Sequence, residues 1–195
     1  MHRVDFKMPS RTVCFDTSRL QIEDIVNLAE ASATAELSDA PAFRSTISRG
    51  ADFLDRRLRE EGPIYGVTTG FGDSCTVTIA PELVAELPRH LYTFHGCGLG
   101  KHFSPVETRA ILAARLASLC KGFSGVSVEL LEQLVRLLQR DILPAIPCEG
   151  SVGASGDLTP LSYLAAVLCG EGEVWRAGEV VAAGSVLAQA EMLPF

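Results

Sequence analysis

Between residues 147 and 169 the chain passes through Pro147-Cys-Glu-Gly150-Ser-Val-Gly-Ala154-Ser155-Gly156-Asp157 and then enters an apolar segment, from about Pro160 to Cys169, that carries no charged residue. Residues as small as those of 150 to 156 permit φ/ψ values closed to other side chains and allow backbones to approach closely. The proline that opens the apolar segment suits the first turn of a helix. The polar and small residues here sit between buried elements, and the rest of the chain has to provide them.

The rest of the chain supplies them. An alternating stretch, Arg11 to Phe15, predicts a short strand; after it Leu20, Ile22, Ile25, Val26 and Leu28 recur at helical spacing, with Thr17 or Ser18 as the cap. Beyond a small-residue connection, Ala31 to Ala42, a second helix is expected from about Phe43 to Glu60, with Ile47, Phe53, Leu54 and Leu58 inward, stopped by Gly62-Pro63. Three glycines in Tyr65-Gly-Val-Thr-Thr-Gly-Phe-Gly72-Asp73 predict a loop. A third helix, from about Pro81 to His95, should kink or break near Pro88 and end at Gly96, Gly98 and Gly100. Ser104-Pro105-Val106-Glu107 is a capping box with proline at the first helical position, launching a helix to about Leu119. Another, from about Val128 to Arg140, has a wide apolar face of Leu130, Leu131, Leu134, Val135, Leu137 and Leu138, and Pro144 and Pro147 end it. The tail, Glu173 to Ala183, alternates as a hairpin about Ala177-Gly178, and Ser185 to Glu191 is weak helix or coil. The fold class expected is mainly α with short strand or hairpin elements, in one domain at this length.

A formal net charge of −7 without a Lys/Arg cluster argues against nucleic acid and anionic membrane as partners and leaves a small neutral or zwitterionic ligand. Cysteines 14, 75, 97, 120, 148 and 169 lie far apart with no C-x-x-C pair, the pattern of reduced thiols in a cytoplasmic protein. Met1 to Asp16 lacks the features of a signal peptide, and no apolar stretch reaches membrane-spanning length, so a cytosolic location is expected.

Generic motifs are excluded one at a time. Gly153-Ala-Ser155-Gly-Asp157 departs from the G-x-S-x-G hydrolase elbow at its fifth position and lacks the apolar strand before it. Gly100-Lys101 is followed by His102 rather than Ser or Thr, so it is no phosphate loop, and Gly96-x-Gly98 lacks the third glycine of a dinucleotide fingerprint. His90, His95 and His102 show no ligand spacing, and no metal is expected. The ordinary readings are a helix C-terminal histidine for His95, a half-buried loop aromatic for Tyr65 and a helix cap for Asp157.

Taken together, three segments say more. Gly150 to Tyr163 resembles the signature of the histidine, phenylalanine and tyrosine ammonia-lyases, Tyr65 to Gly72 resembles their second hallmark, and Leu87-Pro-Arg-His-Leu-Tyr-Thr-Phe94-His95-Gly-Cys-Gly-Leu99-Gly100 resembles their substrate-selectivity segment. The likeness runs from about Asp16 onward, in the family's order and at about its spacing. It implies the N-terminal, active-site-bearing part (residues 1–195) of the helical fold shared with fumarase and aspartase. It also implies that Ala154-Ser155-Gly156 cyclises and dehydrates to 4-methylidene-imidazole-5-one, an electrophile made without a metal. Glycine would supply the amide nitrogen, serine the hydroxyl whose loss makes the alkene, and Asp157 would hold or polarise the tripeptide.

By the same resemblance Tyr65 is the base that takes the β-proton, a demanding role for a phenol with a free pKa of about 10, and Gly72, Phe94, His95 and Leu99 line the substrate. Helix N-termini aimed at the site would help the phenolate. The reaction implied is elimination of ammonia from L-phenylalanine, L-tyrosine or L-histidine to the trans-α,β-unsaturated acid. Phe94 adds an apolar wall where histidine enzymes carry serine, while His95 matches their histidine and is able to bond a phenolic hydroxyl or an imidazole. The continuation Thr159-Pro-Leu-Ser-Tyr163 also departs from that of histidine enzymes, which favours phenylalanine or tyrosine. Family members are longer homotetramers whose central bundle and further Asn, Tyr, Arg and Glu positions lie beyond Phe195, so this chain alone is expected to be inactive. An aminomutase with the same prosthetic group, or a noncatalytic helical module, are the alternatives.

Overall fold

In the computed structural model, residues 11–60, 62–77, 79–80, 83–84, 86–150 and 155–195 are described. The elements in chain order are β1 (Arg11–Phe15), α1 (Ile22–Ala29), β2 (Ala33–Leu37), α2 (Pro41–Arg59), a 3₁₀ turn (Gly72–Thr76), α3 (Leu87–His95), β3 (Leu99–His102), α4 (Pro105–Leu119), α5 (Val128–Gln139), β4 (Leu143–Pro144), β5 (Pro147–Glu149), α6 (Leu158–Leu168), β6 (Glu173–Arg176), β7 (Glu179–Ala182) and α7 (Ala183–Gln189). The mainly helical class expected from the sequence is what forms. The chain divides into two compact units, residues 1–50 with 104–141 and residues 51–103 with 142–195.

In the first unit β1 and β2 pair in parallel from Arg11 opposite Ala33 to Phe15 opposite Leu37, with α1 as the crossover. Two sequence expectations need correction here. Part of the presumed connection Ala31 to Ala42 is a strand, whose alternation is muted because its inward residues are only Ala33 and Ala35. Gln21 caps α1 in place of Thr17 or Ser18: its backbone N–H donates to Asp24 Oδ2 at 3.0 Å, and Ser18 N–H instead closes a turn on Asp16 Oδ1 at 2.6 Å. The Ser104 box does form, with Ser104 Oγ accepting from Glu107 N–H at 3.3 Å and Ser104 N–H donating to Glu107 Oε2 at 2.7 Å. α5 packs against β2 and α4 against α1 and α5, with Leu112, Leu116, Leu131, Leu134 and Leu137 all fully buried; each such side chain contributes roughly 1.5–3 kcal/mol. Arg109 ties α4 to the ends of two neighbours, donating to Ala29 O at 3.1 Å and pairing with Asp141 at 2.5 Å.

In the second unit β4, β6 and β7 form an antiparallel sheet, and the β6–β7 hairpin turns at Ala177 and Gly178, both at positive φ, as the sequence predicts. Separately, β3 pairs antiparallel with β5, Leu99 opposite Glu149 and His102 opposite Pro147. Trp175 Nε1 donates to Phe103 O at 3.1 Å, and Phe103 N–H to Ile146 O at 2.8 Å. Pro88 does not interrupt α3; it stands in the first turn, where its missing N–H has no helical partner to lose, and the helix begins at Leu87 rather than near Pro81, which lies outside the described residues. α3 packs against α6, and the segment expected as weak helix or coil forms α7.

Candidate active site

The sequence-predicted site residues that the structure describes all belong to the second unit. After α2 the backbone turns at 65–68, with Gly66 at φ +71°. A Cβ at Gly66 would lie 2.5 Å from Phe71 Cε1, so glycine is what lets the Phe71 ring fold back on the turn. Two threonines knit the loop: Thr68 Oγ1 accepts from Ile64 N–H at 2.7 Å, and the buried Thr69 hydroxyl accepts from Gly66 N–H at 3.2 Å and donates to Gly70 O at 3.0 Å.

Tyr65 stands at the rim of this loop, 63% exposed, with its phenol oxygen accepting a hydrogen bond from Gly72 N–H at 3.1 Å. That places a fixed donor on the atom where negative charge would develop if the phenol gave up its proton. Tyr65 meets Phe71 edge-on at 5.8 Å, Phe71 meets His95 at 5.7 Å, and His95 meets Phe94 edge-on at 5.2 Å. Four rings from two segments are thus linked by successive contacts, within the spacing at which aromatic pairs attract. Phe94 is 77% exposed and Leu99 72%, large apolar groups presented to solvent at the end of α3 and the start of β3.

Of the tripeptide, Ala154 lies outside the described residues, while Ser155 and Gly156 are exposed and Gly156 takes φ +72°. Asp157 occupies the N-cap position of α6 and its carbonyl accepts from Leu161 N–H at 3.0 Å, but its side chain makes no capping hydrogen bond, contrary to the ordinary reading of that residue as a side-chain cap. Amide groups at the start of a helix lack internal partners and carry partial positive charge, so α6 directs a positive helix end toward Ser155 and Gly156.

The two halves of the site are joined at Gly98. Its N–H donates to the hydroxyl of Tyr163, on α6, at 3.0 Å. A Cβ at Gly98 would lie 2.9 Å from Pro147 Cβ, and one at Gly150 would lie 2.8 Å from Gly98 Cα. Thr159 Oγ1 donates to Gly150 O at 3.0 Å and Ser162 Oγ to Thr159 O at 2.6 Å, which ties the loop's entrance to the first turns of α6. The segment that carries Phe94, His95 and Leu99 is therefore held against the helix that follows Ser155 and Gly156. Sequence reasoning missed Phe71 as the ring linking Tyr65 to His95, and Tyr163 and Thr159 as ties. Phe71 was signalled by its place in the same glycine loop, whereas the ties join positions distant in sequence.

This arrangement has relatives. Residues 20–195 match the family described as Aromatic amino acid lyase, and the chain belongs to that family. It is 40% identical over 182 residues to a histidine ammonia-lyase of Myxococcus xanthus, covering 93% of this chain and 35% of that protein. It is 38% identical over 170 residues to the human histidine ammonia-lyase, covering 87% and 26%. The tyrosine aminomutase of Streptomyces globisporus superposes with a TM-score of 0.86 at 36% identity over 94% of this chain and 34% of its own, and histidine ammonia-lyase from Trypanosoma cruzi with 0.80 at 30% over 94% and 36%. The chain spans about a third or less of the length of these relatives.

Proposed function

We propose that the protein to which this chain belongs is an ammonia-lyase of aromatic amino acids, taking L-phenylalanine or L-tyrosine in preference to L-histidine and releasing the trans-α,β-unsaturated acid. The observation that carries this reading is the succession of ring contacts from Tyr65 to Phe94, whose segment is held through Gly98 to the helix that begins beside Ser155 and Gly156. An α-amino acid loses ammonia only if its amine is made a leaving group and a base stands ready for the β-proton. In this reading Tyr65 is that base, and the Gly72 N–H donated to its oxygen supports the role. Phe94 offers an apolar wall to an aromatic ring, and His95, in contact with the rings of Phe71 and Phe94, is the polar group able to meet a phenolic hydroxyl.

The residues suit a 4-methylidene-imidazole-5-one made from Ala154, Ser155 and Gly156, which when present supplies the electrophile that activates the amine. Gly156 already has the left-handed backbone that favours glycine, Ser155 is exposed, and the loop's entrance at Gly150 is too tight for a Cβ. The N-terminal end of α6, which begins at Leu158, would favour negative charge on a group held there.

A second reading has specific support: the tyrosine aminomutase superposes as well as any lyase named above. In that case ammonia returns to the β-carbon. Assay of the full-length protein with the three amino acids, with chiral analysis for β-amino acid, separates the two. Peptide mass spectrometry is expected to find the peptide spanning 154–156 lighter by two water molecules, and Ser155→Ala to remove both the deficit and the activity. An unmodified peptide in active wild-type protein would sink the proposed chemistry.

A further inference from the structure

We infer that Tyr163 is a positioning residue of this site, one that governs substrate choice by clamping Gly98 and so fixing the backbone that follows Phe94 and His95. The inference rests on the function proposed above and adds to it a specificity determinant that touches neither substrate nor reacting atoms.

Gly98 lies where three elements converge: Pro147 of β5 is close enough to forbid a Cβ, Gly150 backs onto its Cα, and the Tyr163 hydroxyl receives its N–H at 3.0 Å. The segment leaving α3 has a backbone N–H at Gly96 already satisfied by Tyr92 O at 2.9 Å, and at Leu99 it enters pairing with Glu149. Between these anchors the Tyr163 oxygen is the partner of the Gly98 amide across the gap to α6. A tyrosine is long enough to reach from the second turn of α6, is half-buried there, and brings an oxygen that phenylalanine lacks. Three residues before Gly98 stands His95, and next to it Phe94, whose exposed ring depends on its backbone for orientation. A shift of the 96–99 backbone therefore moves the rings that meet the substrate, while Ser155 and Gly156 keep their own attachment at the start of α6.

The test uses the full-length protein, with Tyr163→Phe, which keeps the ring and removes only the acceptor, and Tyr163→His, whose ring nitrogen is again an acceptor. Hydrogen exchange of the peptide containing Gly98 is expected to quicken about tenfold in Tyr163→Phe, the effect of one lost hydrogen bond. The two-water mass deficit is expected to persist, KM for the preferred aromatic amino acid to rise roughly tenfold with kcat changed less, and the preference among phenylalanine, tyrosine and histidine to move. Partial recovery in Tyr163→His supports the clamp. Unchanged exchange at Gly98, or lower thermal stability with the substrate ratio intact, overturns it. Wild-type protein without deficit and turnover would instead defeat the parent reading, and the exchange measurement would still decide whether Tyr163 clamps Gly98.

Discussion

Replacing Gly150 by alanine separates the two demands that a loop glycine places on a fold. Gly150 has φ +140°, a region open essentially to glycine alone, and occupying it with alanine costs on the order of 1–3 kcal/mol. The added Cβ would also sit 2.8 Å from Gly98 Cα and 3.1 Å from Thr159 Cγ2. The Gly98 contact is backbone, so its relief requires the start of β3 to draw away from the end of β5, and relief of the second contact by turning Thr159 aside removes its bond to Gly150 O, worth about 1 kcal/mol. Gly178 is the control: at φ +85°, with nothing within 4 Å of where a methyl group would stand, Gly178→Ala should cost only the left-handed penalty, roughly 1–2 kcal/mol. Gly150→Ala is thus expected to be less stable than Gly178→Ala by about 1–3 kcal/mol, which at a urea dependence of roughly 1–3 kcal/mol per molar lowers its midpoint by about 1 M more. Urea titrations followed by far-ultraviolet circular dichroism measure both. Equal midpoints would mean that β5 and the start of β3 do not meet closely at Gly98, and the junction on which the site depends would be refuted.

Four other outcomes follow from the same structure. Ser104→Ala removes one half of the box that starts α4 and is expected to cost about 0.5–2 kcal/mol in the same titration, with Ser104→Asp near wild type. Burial pushes the Cys120 thiol up to about 12 from its usual 9. Above pH 9 the unfolded chain then releases the thiol proton first, so stability should fall by up to roughly 1.4 kcal/mol per pH unit as pH rises toward 12 and be indifferent to this group below 9; a Cys120→Ala variant with the same alkaline slope would contradict that assignment. In native protein, iodoacetamide should label the exposed Cys75 and Cys97 and spare Cys120, read by peptide mass. Phe94→Ser exchanges an exposed apolar ring for a hydroxyl and is expected to lower kcat/KM for phenylalanine relative to histidine by about 10–200-fold, while an unaltered ratio would remove Phe94 from the substrate wall.

What the sequence discloses about this chain follows the range over which each cause acts. A capping box is complete within four residues, so Ser104 to Glu107 announced α4, and the turn at Ala177-Gly178 announced its hairpin. The apolar period of α5 was equally plain, because its buried leucines repeat on the helix itself. β2 is hidden in the sequence because alanine is too small to mark an inward face, and the start of α3 is hard to read because a proline within a helical pattern ends some helices and begins others. Tyr65, Phe94 and His95 are legible as members of short motifs, and Phe71 shares the loop of Tyr65, but its contact with His95 joins segments 24 residues apart (95 minus 71).

Gly98 shows the limit most clearly. From the sequence it is one of three glycines that end a helix, a conformational role, but its φ is not positive and its backbone conformation is open to other residues. What requires glycine there is Pro147 of β5, 2.9 Å from where a Cβ would stand, while a Cβ on Gly150, just beyond the Leu99–Glu149 pair, would press on the Gly98 Cα at 2.8 Å. A glycine at positive φ is a local demand that a turn rule detects; a glycine without it, with no room for a methyl group, is a long-range demand that appears only when the chain is folded. Both kinds meet at this junction, which is why the site's residues were readable as motifs while the contact that assembles them was not.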